Sequence, residues 1–215
     1  KNISEIVDFN LAKLSYDLQN DEWADERFYY FLKKYPTSSY KEEAIEMQTY
    51  LHIKNSRFDD AIRSLDKLDS IPFSLKKVYQ KSNYARGIQM LLENNSAKSI
   101  EYFNAANRFT IDNETSLLTT FWQAEAFYRL GKYKQSLDAT TYYTDNFEKN
   151  KLNSYSKNIH TLRCYLFLHL NQLDKLNNEF YILNPTSKAD PKSTLGTIKP
   201  NYIPDKVPLV NNDPF

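Results

Sequence analysis

Cysteine is almost absent from this chain: Cys164 is the only one among 215 residues. An internal disulfide is thereby excluded, and so is a zinc site built from several thiolates. Glycine is nearly as scarce, with three, which argues against phosphate-cradling loops and turn-dense β folds. No apolar run approaches the roughly 20 residues that cross a bilayer, so no membrane span is expected. Neither sign of charge dominates. Twenty-eight Lys and Arg are interspersed with 27 Asp and Glu, for a net +1. Nucleic acid is not an expected partner, because phosphate neutralisation calls for a basic stripe. The first residues, Lys1-Asn2-Ile3-Ser4-Glu5, carry neither an initiator Met nor the apolar stretch of a signal peptide. They are expected to begin a processed product or a fragment, with any targeting signal out of view.

Aromatic residues, by contrast, are abundant: 17 Tyr and 13 Phe. In a helical protein this points to packing between helices or to an adhesive groove. A recurrence supports the helical reading. Asn55-Ser56-Arg57-Phe58-Asp59-Asp60-Ala61-Ile62, Asn94-Asn95-Ser96-Ala97-Lys98-Ser99-Ile100 and Leu130-Gly131-Lys132-Tyr133-Lys134-Gln135-Ser136-Leu137 share a polar or glycine turn, then a small residue followed by an aliphatic one. Weaker copies lie at Asn20–Ala24 and Leu170–Leu176. Aligned on the small position, they fall at Ala24, Ala61, Ser99, Ser136 and Leu176, about 37, 38, 37 and 40 residues apart, within the range of stacked repeats. Each turn follows a helical pattern of about 16 to 18 residues and precedes one of about 12 to 14. Leu117, Phe121, Ala124, Phe127 and Tyr128 show the i, i+4, i+7 spacing of an amphipathic helix, and Tyr133, Leu137, Thr140 and Tyr143 continue it after the turn. Strand-like alternation is nowhere sustained.

Pro36 and Pro72 fall between predicted pairs, where they do not cost the roughly 3 kcal/mol of a helix-interior proline. Ser39, three residues ahead of Glu42, and Thr115, next to Glu114, read as helix caps. The acidic run Asp21–Glu26 reads as a solvated first helical turn. Residues 184–215 hold six of the eight prolines and read as an extended or disordered tail. Within it, Asn201–Val210 is apolar enough to act as an internal ligand of the array.

These residues resemble the tetratricopeptide repeat (TPR). The match is closest at Phe121-Trp122-Gln123-Ala124-Glu125-Ala126-Phe127-Tyr128-Arg129-Leu130-Gly131-Lys132-Tyr133. Gly87, Ala124 and Cys164 fall on the small position where the helices of such a pair approach. Phe28-Tyr29-Tyr30-Phe31-Leu32-Lys33-Lys34-Tyr35-Pro36-Thr37-Ser38-Ser39-Tyr40 and Lys77–Gly87 are similar to segments of large TPR proteins of the Gram-negative cell envelope. The resemblance covers residues 1 to about 183. It implies an all-α, right-handed solenoid of about five TPR-like repeats over residues 1–183, located in the periplasm or at the periplasmic face of the outer membrane, with the cytoplasm left open.

It also implies a partner-binding groove along the first helices of the pairs. The positions carried over are Glu46, Tyr50 and Ile53, then Lys81, Tyr84, Ile88 and Leu91, then Phe121, Glu125 and Tyr128, and finally Thr161, Tyr165 and Leu168. Eight of these, Tyr50, Ile53, Tyr84, Ile88, Phe121, Glu125, Tyr128 and Tyr165, are the candidate groove residues. The clamp with which co-chaperone repeats hold a C-terminal carboxylate is missing: Glu46, Tyr50, Ala85, Leu118 and Trp122 stand at its positions.

No metal, cofactor or catalytic residue is expected. His52, His160 and His169 are separated beyond metal-ligand spacing and read as surface or groove histidines. Cys164, on a small-residue position where helices approach, reads as a packing residue rather than a reactive thiol. The expected function is a non-catalytic scaffold for protein or peptide partners, within a bacterial envelope assembly. The alternatives are a lipid-anchored accessory to outer-membrane protein assembly or secretion, its anchor upstream of Lys1, and the docking arm of a larger enzyme.

Overall fold

A computed structural model describes residues 3–68, 70–150, 156–184 and 190–192. Among the described residues there are ten helices and no strand: α1 (Ile3–Asp17), α2 (Asp21–Lys34), α3 (Lys41–Lys54), α4 (Phe58–Asp66), α5 (Phe73–Leu92), α6 (Ser96–Ala106), α7 (Asn113–Arg129), α8 (Tyr133–Asn150), α9 (Ser156–His169) and α10 (Leu173–Leu183). Neighbouring helices pack in pairs, as in α1 with α2, α3 with α4, α7 with α8 and α9 with α10. The expected tail lies outside the described residues, apart from Asn184 and residues 190–192.

One turn recurs five times. Among the described residues, Gln19, Ser56, Asn94, Gly131 and Asn171 have positive φ, from 55° to 70°, and each stands two positions ahead of the second helix of a pair. In every case the N–H of this left-handed residue donates to the carbonyl three residues back, at 2.9–3.2 Å. The next N–H reaches five back, at 2.7–3.0 Å. These two bonds satisfy carbonyls that a helix end leaves open. At Asn20 and Asn95 the residue after the left-handed one then caps the following helix, its side chain accepting from Trp23 N–H and Lys98 N–H. A helix end and a helix start are thus fused into three residues. Ala24, Ala61, Ser99, Ser136 and Leu176 occupy the fourth position of α2, α4, α6, α8 and α10, all of them buried.

The turn uses glycine once, although positive φ is costly for any residue with a Cβ. Ser56→Gly and Gln19→Gly are expected to stabilise the protein by about 0.5 kcal/mol each. Gly131→Ala is expected to cost about 1 kcal/mol from backbone strain, since an added Cβ there meets nothing within 4 Å. Thermal unfolding of the three variants checks the opposed signs. A stabilised Gly131→Ala would show that the turn does not need its left-handed residue.

The capping expectations need correction. Tyr40, not Ser39, precedes α3, and it provides no side-chain cap. Ser38 instead bonds the Tyr40 N–H at 3.0 Å. At α7 the cap is Asp112, whose carboxylate accepts from the Thr115 N–H at 2.9 Å.

The chain divides into two compact units, the first through Asn83 and the second from Tyr84, so the division falls within α5. In the first unit Phe9 and Ala12 of α1, Ala24, Phe28 and Phe31 of α2, and Ala44 and Leu51 of α3 form one core. In the second, Tyr84, Ile88 and Leu91 share a core with Phe103, Leu117, Phe121, Trp122, Tyr143 and Ile159. The small positions lie where helices touch. Gly87 faces the ring of Phe103. Ala124 takes a 2.7 Å hydrogen bond from Ser136 Oγ on its carbonyl. Cys164 packs with Leu176 and Phe180.

Candidate functional site

The expected groove residues separate by burial. Ile53, Tyr84, Ile88, Phe121, Glu125 and Tyr165 are buried, while Tyr50 and Tyr128 keep part of their surface. The offsets that select them identify the inward face of the first helices. In the second unit large neighbours such as Trp122, Phe103 and Tyr143 close over that face. Accessible chemistry is therefore found around the two half-exposed tyrosines, one in each unit.

Tyr50 borders a cleft of about 330 Å³ in the first unit, lined by Tyr16, Asp17, Gln19, Asp21, Tyr50, Leu51 and Lys54. The end of α1, its turn and the facing side of α3 build it. Lys54 Nζ lies 2.8 Å from Asp21 Oδ2, so that carboxylate is engaged. Asp17 makes no hydrogen bond or salt bridge among the described residues, and its charge acts on Lys13 one turn earlier. The Tyr50 hydroxyl donates to Glu46 Oε1 at 3.2 Å. Burial, then the charge of Glu46, pushes the Tyr50 phenol up to about 12, and burial also raises Tyr16. Both remain neutral donors at physiological pH. The cleft is lined by two tyrosine rings and by carboxylate and ammonium groups, which suits a peptide segment better than an apolar ligand. Sequence reasoning reached Tyr50 and missed Tyr16. Its signal was present: Tyr16 stands three residues ahead of its left-handed turn residue, as Tyr128 does.

Tyr128 anchors an aromatic group in the second unit. Its ring lies 5.7 Å from Tyr133, 6.4 Å from Tyr165 and 5.7 Å from His169. His169 stacks on Tyr133 at 4.3 Å and 8°, and its Nε2 is 3.3 Å from the Tyr128 hydroxyl. Burial first, then the neighbouring Tyr133 and Glu125, pushes the Tyr128 phenol up to about 12.

Several other titratable groups are tied into the fold. His52, expected at a surface or groove, is buried. Its Nε2 bonds Asp25 Oδ1 at 3.0 Å. Asp25 also accepts from Gln48 Nε2 at 2.9 Å and Arg57 Nη1 at 2.8 Å. Burial raises the Asp25 carboxyl, but these bonds and the His52 charge outweigh it and the net shift is downward. His160 bonds Glu179. Burial pushes the Cys164 thiol up to about 12, so it is not a thiolate nucleophile at neutral pH. Among the described residues no three His, Cys, Asp or Glu are grouped to hold a metal. No helix among them is long and apolar enough to cross a membrane.

Comparison with protein-family models finds no match to the chain, and comparison with curated proteins finds none.

Proposed function

We propose that the chain is a non-catalytic binding scaffold made of TPR-like helix pairs, and that it holds protein or peptide partners on half-exposed tyrosines of its first helices. The five-fold turn supports the repeat reading: the same left-handed residue and the same two hydrogen bonds recur at the interval seen in the sequence. The observation that carries the binding reading is the Tyr16–Tyr50 cleft. There, the rings of Tyr16 and Tyr50 and the carboxylate of Asp17 line one cleft of one unit. Rigid tyrosines give large contact area for little lost side-chain entropy, and they are enriched where binding energy concentrates. The linker sequence Phe28–Tyr40 favours an envelope assembly as the setting.

Selection of peptides from a random library against the purified chain tests this. Binding of the selected peptides by the folded protein is expected to fall about tenfold or more in Tyr50→Ala or in Tyr128→Ala; both rings are partly buried and Tyr128 packs against the core, so thermal unfolding is used to confirm that each variant is folded. Buried Tyr84 and Phe121 are unsuitable for the same test, because truncating them opens core cavities. Undiminished binding in both tyrosine variants, or no selectable peptide, would overturn the proposal.

A further inference from the structure

The outer face of α1 is the least expected surface of the first unit. Ile3, Val7, Leu11, Leu14 and Leu18 lie along it at spacings of four, four, three and four, and they are 43 % to 77 % exposed. Together they leave roughly 500 Å² of apolar surface bare, near the upper limit for a soluble monomer. Trp23 of α2 is also exposed and extends the patch. Arg27 links the two, its guanidinium 5.5 Å from the Trp23 ring and its Nη1 3.2 Å from the Leu11 carbonyl.

Counted from the left-handed turn residue, Val7, Leu11 and Leu14 correspond to Ala44, Gln48 and Leu51 in α3. The same count gives Thr119, Gln123 and Ala126 in α7, and Ile159, Arg163 and Leu166 in α9. On each of these three helices, counterparts of the row meet the hairpin that comes just before in the chain. Ala44 and Leu51 share a core with Phe28 and Phe31 of α2. Ala126 packs with Phe103 and Ala106 of α6, and Gln123 Nε2 donates to Asn104 Oδ1 at 2.7 Å. Ile159 packs with Tyr143 of α8, Leu166 with Leu137, and Arg163 bonds Thr141. In α1 alone of these four helices the row is both bare and made of branched aliphatic residues.

We propose that a further helix hairpin of this same type, joined ahead of α1 in the natural polypeptide, packs on this face. The inference rests on the repeated turn and the exposed row, not on partner binding. It makes a statement that can be read from the gene. A left-handed turn residue, of the Gly, Asn, Ser or Gln kind, should stand about 19 to 22 residues ahead of Lys1, with a small residue five positions after it, at the recurrence of this chain.

The test compares the 215-residue chain with the chain extended by the residues its gene encodes upstream, each with and without Leu11→Glu and Leu14→Glu together. The pair of substitutions is expected to lower Tm by roughly 10 °C in the extended protein and by much less in the shorter one. Amide exchange along α1 should slow on extension even if the extended variant fails to fold. A gene whose coding begins at Lys1, equal Tm losses in both backgrounds, or unchanged α1 exchange would overturn the proposal. So would a dimer of the 215-residue chain that the Leu14→Glu change dissociates, since a second copy would then be the occupant.

Discussion

Gly87→Ala is expected to destabilise the second unit by about 2 kcal/mol, against the roughly 1 kcal/mol that alanine gains over glycine in a helix interior. The reason is one close approach. A Cβ on Gly87 would lie 2.5 Å from Phe103 Cε1 and 2.6 Å from Cδ1. The Phe103 ring is fully buried, so it has no solvent-side rotamer into which to swing. Relief must come from moving α5 off α6, which loosens the core around Tyr84, Ile88 and Leu91. Phe103→Leu alone should also destabilise, by about 1–2 kcal/mol, through the volume it removes. Combined with Gly87→Ala it should cost less than the two losses added, with a coupling of about 1 kcal/mol or more, because the smaller side chain vacates the space that the methyl group needs. Denaturant or thermal unfolding of the four proteins in the cycle measures this. A Gly87→Ala variant more stable than the parent would mean that helix propensity decides at this position and that the approach of the two helices is looser than 2.5 Å implies.

The same contact shows which part of the architecture is legible in the residues. Gly87, Ala124 and Cys164 mark helix approaches because only small side chains fit there, a constraint that acts on residue type directly. The small positions Ala24, Ala61, Ser99 and Ser136 are legible for the same reason, although their chemistry differs. Ser136 Oγ donates to the Ala124 carbonyl, whereas the buried Ser99 Oγ has no hydrogen-bond partner among the described residues. The left-handed residues are harder to see, because Gln19 and Ser56 adopt a conformation that sequence reasoning reserves for glycine and asparagine. Groove depth is harder still. An offset within a helix says which way Phe121 or Tyr165 points, but whether the face stays open depends on the size of residues on other helices. The Asp25 network illustrates the remaining gap: Gln48, His52 and Arg57 converge on it from 23 to 32 residues away. No local spacing records such a meeting, so His52 reads from sequence as an isolated surface histidine.

Two buried glutamates in the second unit should respond to neutralisation in opposite ways. Glu179 accepts on one oxygen from His160 Nδ1 at 2.6 Å and from Arg163 Nε at 2.8 Å, tying α10 to α9. Burial raises its carboxyl, but the two hydrogen bonds and the Arg163 charge outweigh that and hold it below the usual value of 4.5. The unfolded chain therefore binds the proton more readily. This contribution is fully present above about pH 4.5 and is lost as pH falls through the lower, folded value. Glu125 is as deeply buried, but Arg129 Nε, at 2.9 Å, is its one bonded cation, and Oε2 has no partner among the described residues. There burial outweighs Arg129 and the carboxyl is raised. Its contribution runs the other way, present below about 4.5 and lost as pH rises through the folded value. Glu179→Gln should accordingly cost about 2 kcal/mol at pH 7, with the gap from the parent closing on acidification below about pH 4.5. Glu125→Gln should be neutral or slightly stabilising at pH 7, since Arg129 is partly exposed and regains water when its partner loses charge. Unfolding midpoints of the parent and both variants between pH 7 and 3.5 separate the two cases. A Glu179→Gln gap that stays constant across that range would mean that shape, not charge, joins the last two helices, and that Glu179 and Glu125 differ only in what they touch.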